Sequence, residues 1–246
     1  EARRLFAHER AVANRADLSL FVSDAEAALF RQATGLGADR VCALENGIDL
    51  ERFDPGHDAP ALDGQGPHIV FTGQMDYAPN VEAAIHYARN ILPRVRAVLG
   101  DARFWIVGRS PVASVFELGA LPGVIVTGTV PDPRDHIAGA DLIVAPLLLA
   151  RGIQNKVLEA MAMGKPVLAS PAAAEGIDAV ADRDFVMADG AEAQAGATLG
   201  LLADPARRTA LGQAARFRMG ARYGWDATLA PLGAMLAAGN MQRAAA

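Results

Sequence analysis

Short apolar runs alternate with helix-periodic stretches through most of the sequence, and that alternation constrains the fold more than any other feature. The runs at residues 68–72, 103–107, 124–127, 142–145 and 167–169 read HIVFT, RFWIV, VIVT, LIVA and VLA. A strand with one wet face alternates apolar with polar residues; these barely do, so both faces must be covered. That is the habit of a parallel sheet with helices on either side. Further strands are expected at 18–22, 41–45 and 185–187, and helices at 26–33, 80–99, 111–118, 134–138 and 154–163. From Asp204 onward the pattern is helical, with segments 206–223 and 225–238 separated by Gly224. The predicted fold class is α/β, a doubly wound, Rossmann-like parallel sheet.

Residues 53–67, FDPGHDAPALDGQGP, lack periodicity and are crowded with turn formers, which reads as an interdomain linker. The chain opens in an amphipathic pattern from Arg3 to Val12 without an initiator Met, so it is expected to be part of a longer protein. The formal charge of −5 argues against a broad nucleic-acid surface. Cys42 is the one cysteine, which excludes an intrachain disulfide and fits a reducing compartment; its plain reading is a small apolar residue. No apolar run has the length of a membrane span, and no signal peptide is apparent, so a cytoplasmic location is expected.

Residues 140–170, ADLIVAPLLLARGIQNKVLEAMAMGKPVLAS, carry the most chemistry. A strand runs into a loop broken by Pro146 and Gly152. A helix then begins near Ile153 and ends at Gly164, a residue suited to the left-handed position past a helix terminus, with Pro166 following. Helix N-termini at the carboxyl edge of such sheets attract phosphate through free N–H groups and the helix dipole. Asn155 and Lys156 fall in the first turn, and Glu159 lies three residues past Lys156 on the same side. A lysine there suits a diphosphate, and a carboxylate one turn on suits a ribose diol. Lys156 and Lys165, the chain's two lysines, both fall in this segment. The bland alternative is an exposed Lys156–Glu159 pair of little energetic worth.

The run EAMAMGKPVLAS at 159–170 resembles the signature of retaining GT-B glycosyltransferases of the group 1 (family 4) type, in which two glutamates flank seven residues. The resemblance implies that Glu159 is the second glutamate, which binds the donor ribose. The first glutamate's position holds Arg151, and two readings stay open. Either Arg151 contacts the diphosphate or an acidic sugar, or it points away and the site works differently. A subset of the family reads G-x-x-N-K-x-x-E, which Gly152–Glu159 matches through Asn155, Lys156 and Val157. This implies a diphosphate role for Lys156 and a lesser one for Arg151.

Other landmarks fall in family order. ADLSLFVS at 16–23 resembles the strand near the end of the N-terminal domain. ENGID at 45–49 resembles the turn leading to the interdomain crossover, and YGWD at 223–226 the opening of the last helix. Phe71-Thr72-Gly73-Gln74 resembles the first strand–glycine loop of the donor domain. Relatives place Arg and Lys after that glycine, whereas this chain has Gln74, Met75 and Asp76 and no base before Arg89. GRSP at 108–111 resembles the loop after the second strand, where Arg109 is either a ligand contact or a surface charge. Gly128, Thr129 and Val130 resemble the loop that meets the nucleobase.

The resemblance implies a GT-B C-terminal, donor-binding domain at 68–223, and a remnant of the acceptor domain at 1–52. It also implies a helix at 224–246 that crosses back toward that domain. It implies transfer from a nucleoside-diphosphate sugar to a glycan or lipid-linked acceptor, without cofactor or metal. Motif wording points to exopolysaccharide assembly, with peripheral membrane contact in the intact protein and little transfer by the isolated fragment. The rival readings are a nucleotide-sugar epimerase of the same fold and a catalytically inactive nucleotide-sugar-binding partner domain. A dehydrogenase is disfavoured, since no G-x-G-x-x-G follows a strand.

Overall fold

The computed structural model describes residues 1–150 and 152–244, with side chains through residue 237. Its strands are β1 (Ser19–Phe21), β2 (Val41–Ala43), β3 (His68–Thr72), β4 (Arg103–Val107), β5 (Val124–Gly128), β6 (Leu142–Ala145), β7 (Val167–Ala169) and β8 (Val186–Met187). The helices are α1 (Ala2–Arg15), α2 (Asp24–Thr34), α3 (Ala78–His86), α4 (Leu92–Arg96), α5 (Ala113–Phe116), α6 (Pro133–Gly139), α7 (Asn155–Ala162), α8 (Pro171–Ala174), α9 (Gly190–Ala203), α10 (Pro205–Arg222) and α11 (Trp225–Ala244).

The chain divides into two compact units, Glu1–Gly47 with Gly224–Ala246, and Ile48–Tyr223. In the smaller unit β1 and β2 pair in parallel, Leu20 opposite Cys42. Ser23 caps α2 by accepting from the Glu26 N–H, and Arg40 closes the end of α1 on the Ala13, Asn14 and Ala16 carbonyls.

The larger unit holds a six-stranded, all-parallel sheet in the order β5-β4-β3-β6-β7-β8. Strand order reverses between β3 and β6, which makes that point the switch of a doubly wound fold. The central strands lie buried almost end to end, as their unbroken apolar sequences require. Tyr87 stacks on Phe104 with ring centroids 4.5 Å apart, and its hydroxyl pairs with that of Thr198 on α9 at 3.0 Å. That partner offsets the cost of burying a phenol.

Three segments depart from the sequence expectation. The single helix expected at 80–99 is divided by a π-turn, Tyr87–Ile91, in which the Leu92 N–H reaches back to the Tyr87 carbonyl. Pro93 lies just beyond; it has no N–H to donate and its ring crowds the preceding turn, so the widened turn relieves a local conflict. Helix α9 was not anticipated, because its alanines and glycines give no polar-to-apolar face to detect. Residues 53–67 have no regular structure, yet they group with the larger unit. Arg216 of α10 explains part of this, donating to the carbonyls of Leu50, Phe53 and, at the end of α7, Ala162.

The chain enters and leaves this unit at one place, since the Ile48 N–H donates to the Tyr223 carbonyl at 2.7 Å. Among the described residues, no helix is long and apolar enough to cross a membrane.

Candidate functional site

Parallel strands point their carboxyl ends the same way, so the loops after β3, β4 and β5 gather at one edge of the sheet. Backbone hydrogen bonds lace them together. The Gly73 N–H donates to the Val107 carbonyl at 3.0 Å, Met75 to Arg109 at 2.9 Å, and Gly108 to Gly128 at 3.3 Å. Gly108 sits at φ 154°, and a Cβ there would collide with the Gly73 carbonyl, so the two loops can approach only through glycine. Between β4 and β5 the register slips: Ile106 faces Val126 but Val107 faces Gly128, leaving Thr127 as the extra residue.

Helix α7 reaches the same edge. Gly152, at φ 65°, turns the chain into it, and Gln154 stands at its cap. Its apolar side, Val157, Leu158, Ala160, Met161 and Ala162, is buried. Gly164 takes the left-handed conformation expected of it (φ 65°), and Gly212 of α10 lies so close that a Cβ would strike the Gly164 carbonyl. The helix is thus fixed along its length, which aims its first turn.

Together these elements enclose a cavity of about 730 Å³. Gly73, Gln74, Arg109, Thr129, Val130, Asn155, Lys156 and Glu159 line it, all of them singled out from the sequence. Three others do not. Gly128 and Gly152 shape the loops, and Val157 is buried in the core with its N–H already donated to the Gln154 carbonyl at 2.9 Å. Arg151 lies outside the described residues.

Lys156 is half-buried, its ammonium 4.7 Å from the centre of the Phe71 ring and hydrogen-bonded to the Asn80 side-chain oxygen. Burial lowers its pKa to about 8, against the pull of Glu159. The Glu159 carboxyl is moved the other way, raised by burial while the charges of Lys156 and Arg52 oppose the change. Arg109 donates to the Gln74 side chain at 2.9 Å, which brings a base from the β4 loop beside the β3 loop that lacks one. Thr72, Val107, Gly108 and Gln154 also line the cavity, as do Tyr77, Asn80, Pro133 and Ile153, which the sequence does not mark as site residues. Asn80 alone among them left a trace in the sequence, a polar amide one turn past the glycine loop.

Lys165, the other lysine, is at the opposite edge. It donates to the Ala138 and Ala140 carbonyls around the end of α6. A second cavity of about 630 Å³ is lined by Lys165 itself with Asp141, Arg208, Arg216 and Phe217 among others. Its cations are held by carbonyls and carboxylates: Arg208 by Leu201, Leu202 and Asp141, and Arg216 by Leu50, Phe53 and Asp54. Among the described residues, no three His, Cys, Asp or Glu side chains come together as a metal cluster would.

The fold, a parallel Rossmann-like sheet with a small auxiliary one, is that of a GT-B domain. It superposes on sucrose-phosphate synthase of Thermosynechococcus elongatus with a TM-score of 0.73 at 22% identity, covering 98% of this chain and 62% of that one. Anabaena HepE, crystallised with UDP and glucose, gives 0.73 at 16% identity over 94% of this chain and 66% of that one. A sequence profile of the group 1 glycosyl transferases matches residues 66–204, more than half of the chain, and the chain belongs to that family. It is similar to the GDP-mannose-dependent α-(1-6)-phosphatidylinositol monomannoside mannosyltransferase of Mycolicibacterium smegmatis, 29% identical over 231 residues. That match takes in 84% of this chain and 58% of the mannosyltransferase, so the chain spans little more than half of that relative.

Proposed function

We propose that the cavity at the carboxyl edge binds the nucleoside-diphosphate part of a sugar donor. The protein would then transfer the sugar, a hexose, to a glycan or lipid-linked acceptor with its anomeric configuration retained. The observation that carries this reading is the meeting of the α7 first turn, Lys156 and Glu159 with three glycine-hinged loops around one cavity.

Lys156 and the positive end of α7 face the diphosphate and offset the charge that grows on it as the sugar–phosphate bond breaks. Glu159 accepts hydrogen bonds from the ribose hydroxyls. The Gly128–Val130 loop receives the base, and Arg109 with Gln74 stands at the diphosphate's outer side. The proposal assigns no metal. Two neighbours support a nucleoside-diphosphate donor: HepE was crystallised with UDP and glucose, and the mannosyltransferase depends on GDP-mannose. The second, acting on a phosphatidylinositol mannoside, also supports a lipid-linked acceptor.

On this reading residues 68–223 are the donor domain, and residues 1–52 with residues 224–246 belong to the acceptor side. The setting is cytoplasmic and peripheral to a membrane, in exopolysaccharide assembly.

Calorimetry with UDP and GDP tests the reading. One of them should bind, and Lys156→Ala should weaken that binding sharply; unchanged affinity in the variant defeats the assignment. Arg151, standing where relatives carry glutamate, favours one second reading, a donor-binding partner domain without turnover. Measured donor hydrolysis or sugar transfer would exclude it.

A further inference from the structure

Asn80 is 6% exposed and sits in the first turn of α3. A short polar side chain is a weak choice inside a helix, so burying one there calls for partners. It has two, on different elements. Its Nδ2 donates to the Gln74 carbonyl at 2.9 Å, which fixes the amide's orientation and turns Oδ1 toward α7, where that oxygen accepts from the Lys156 ammonium.

The neighbours are shaped to this arrangement. A Cβ on Gly73 would press to within 2.8 Å of the Asn80 Nδ2, so the glycine that opens the β3 loop also makes room for the amide. The Phe71 ring beneath the ammonium adds a cation–π contact and blocks the side chain from swinging inward.

We propose that Asn80 is a positioning residue of this site: its amide clamps the Lys156 ammonium, carried by α7, to the β3 loop, which has no base of its own. This rests on the nucleotide-binding reading above. Asparagine suits the task because it is a neutral acceptor. An aspartate in its place would pair with Lys156 and cancel the charge a diphosphate needs, and an apolar residue would leave the ammonium unaimed. Among the described residues, the other charged groups lining the cavity are Glu159 on α7 and Arg109 on the β4 loop, while Arg52 acts on Glu159. Substituting Asn80 leaves all of these in place.

The chain's two lysines give two ammonium signals, so NMR of lysine-labelled, ligand-free protein can titrate Lys156 with Lys165 as an internal control. Asn80→Asp should raise the Lys156 pKa by about 1–3 pH units, the usual effect of a carboxylate at that range. Asn80→Ala should lower it, since the charged form loses an acceptor, and Lys165 should not move in either. Opposite shifts are the signature that a merely structural role would not give. Lys156 titrating unchanged in both folded variants, or moving the same way in both, overturns the proposal.

Should a variant fail to fold, the unsubstituted protein still decides. Its Asn80 amide resonances should follow the Lys156 midpoint and stop doing so in Lys156→Met; amide resonances blind to that midpoint overturn the proposal. UDP and GDP calorimetry on Asn80→Ala separates the two claims. An affinity loss of about tenfold or more fits both. Shifted lysine titration with untouched nucleotide affinity keeps the clamp and sinks the nucleotide reading.

Discussion

The two lysines, nine residues apart in sequence, end at opposite edges of the same sheet, and the contrast separates a binding cation from a structural one. Both ammonium groups are partly withdrawn from water, and burial lowers the pKa of each. Lys165 also lines a cavity, but it donates to two backbone carbonyls at the end of α6 and so completes a helix terminus. Lys156 faces one side-chain amide, a ring and a cavity that it helps to line. A cation hydrogen-bonded to two backbone carbonyls serves the fold; one hydrogen-bonded to a single neutral amide keeps more capacity for an anion.

The sharpest way to break that contrast is to remove each ammonium in turn. Lys156→Ala should cost about a hundredfold in UDP or GDP affinity, the scale of a lost charge-assisted contact. Lys165→Ala should change that affinity by less than about twofold, and calorimetry reads both. Equal losses would erase the distinction. Stability should respond in the reverse sense. Lys165→Met leaves the Ala138 and Ala140 carbonyls without their partner and should cost about 1–3 kcal/mol in urea unfolding.

The pH dependence sharpens the comparison further. A lysine near 8 loses its proton as pH rises through that value, so nucleotide affinity should fall by about tenfold between pH 7 and pH 9, following the protonated fraction. Lys156→Arg, charged throughout, should flatten the profile. A smaller loss than that of Lys156→Ala is expected of Glu159→Gln, which keeps one acceptor: about fivefold weaker binding of UDP or GDP, and no loss for the 2′-deoxy analogue beyond what the ribose hydroxyl explains.

Much of the sheet was legible, because a strand covered on both faces has little choice but an unbroken apolar sequence; β3, β4, β6 and β7 begin and end where their runs do. Helix α7 was legible through its stops, Gly152 before and Gly164 after. Helix α9 was not, since small residues all round give no face to read. The cavity was only partly legible. Lys156 and Glu159 stand out by type and spacing within one helix, but the hydrogen bond between Asn80 and Lys156 joins residues 76 positions apart, and no local pattern can announce it. The base that reaches the β3 loop, Arg109, comes from the β4 loop for the same reason.

A crystal grown with saturating UDP or GDP, whichever calorimetry selects, bears on the central claim most directly. The diphosphate should lie between Lys156 and the opening turn of α7, with the ribose hydroxyls against Glu159. Nucleotide lodged beside Lys165, or this cavity left vacant at saturation, would contradict it.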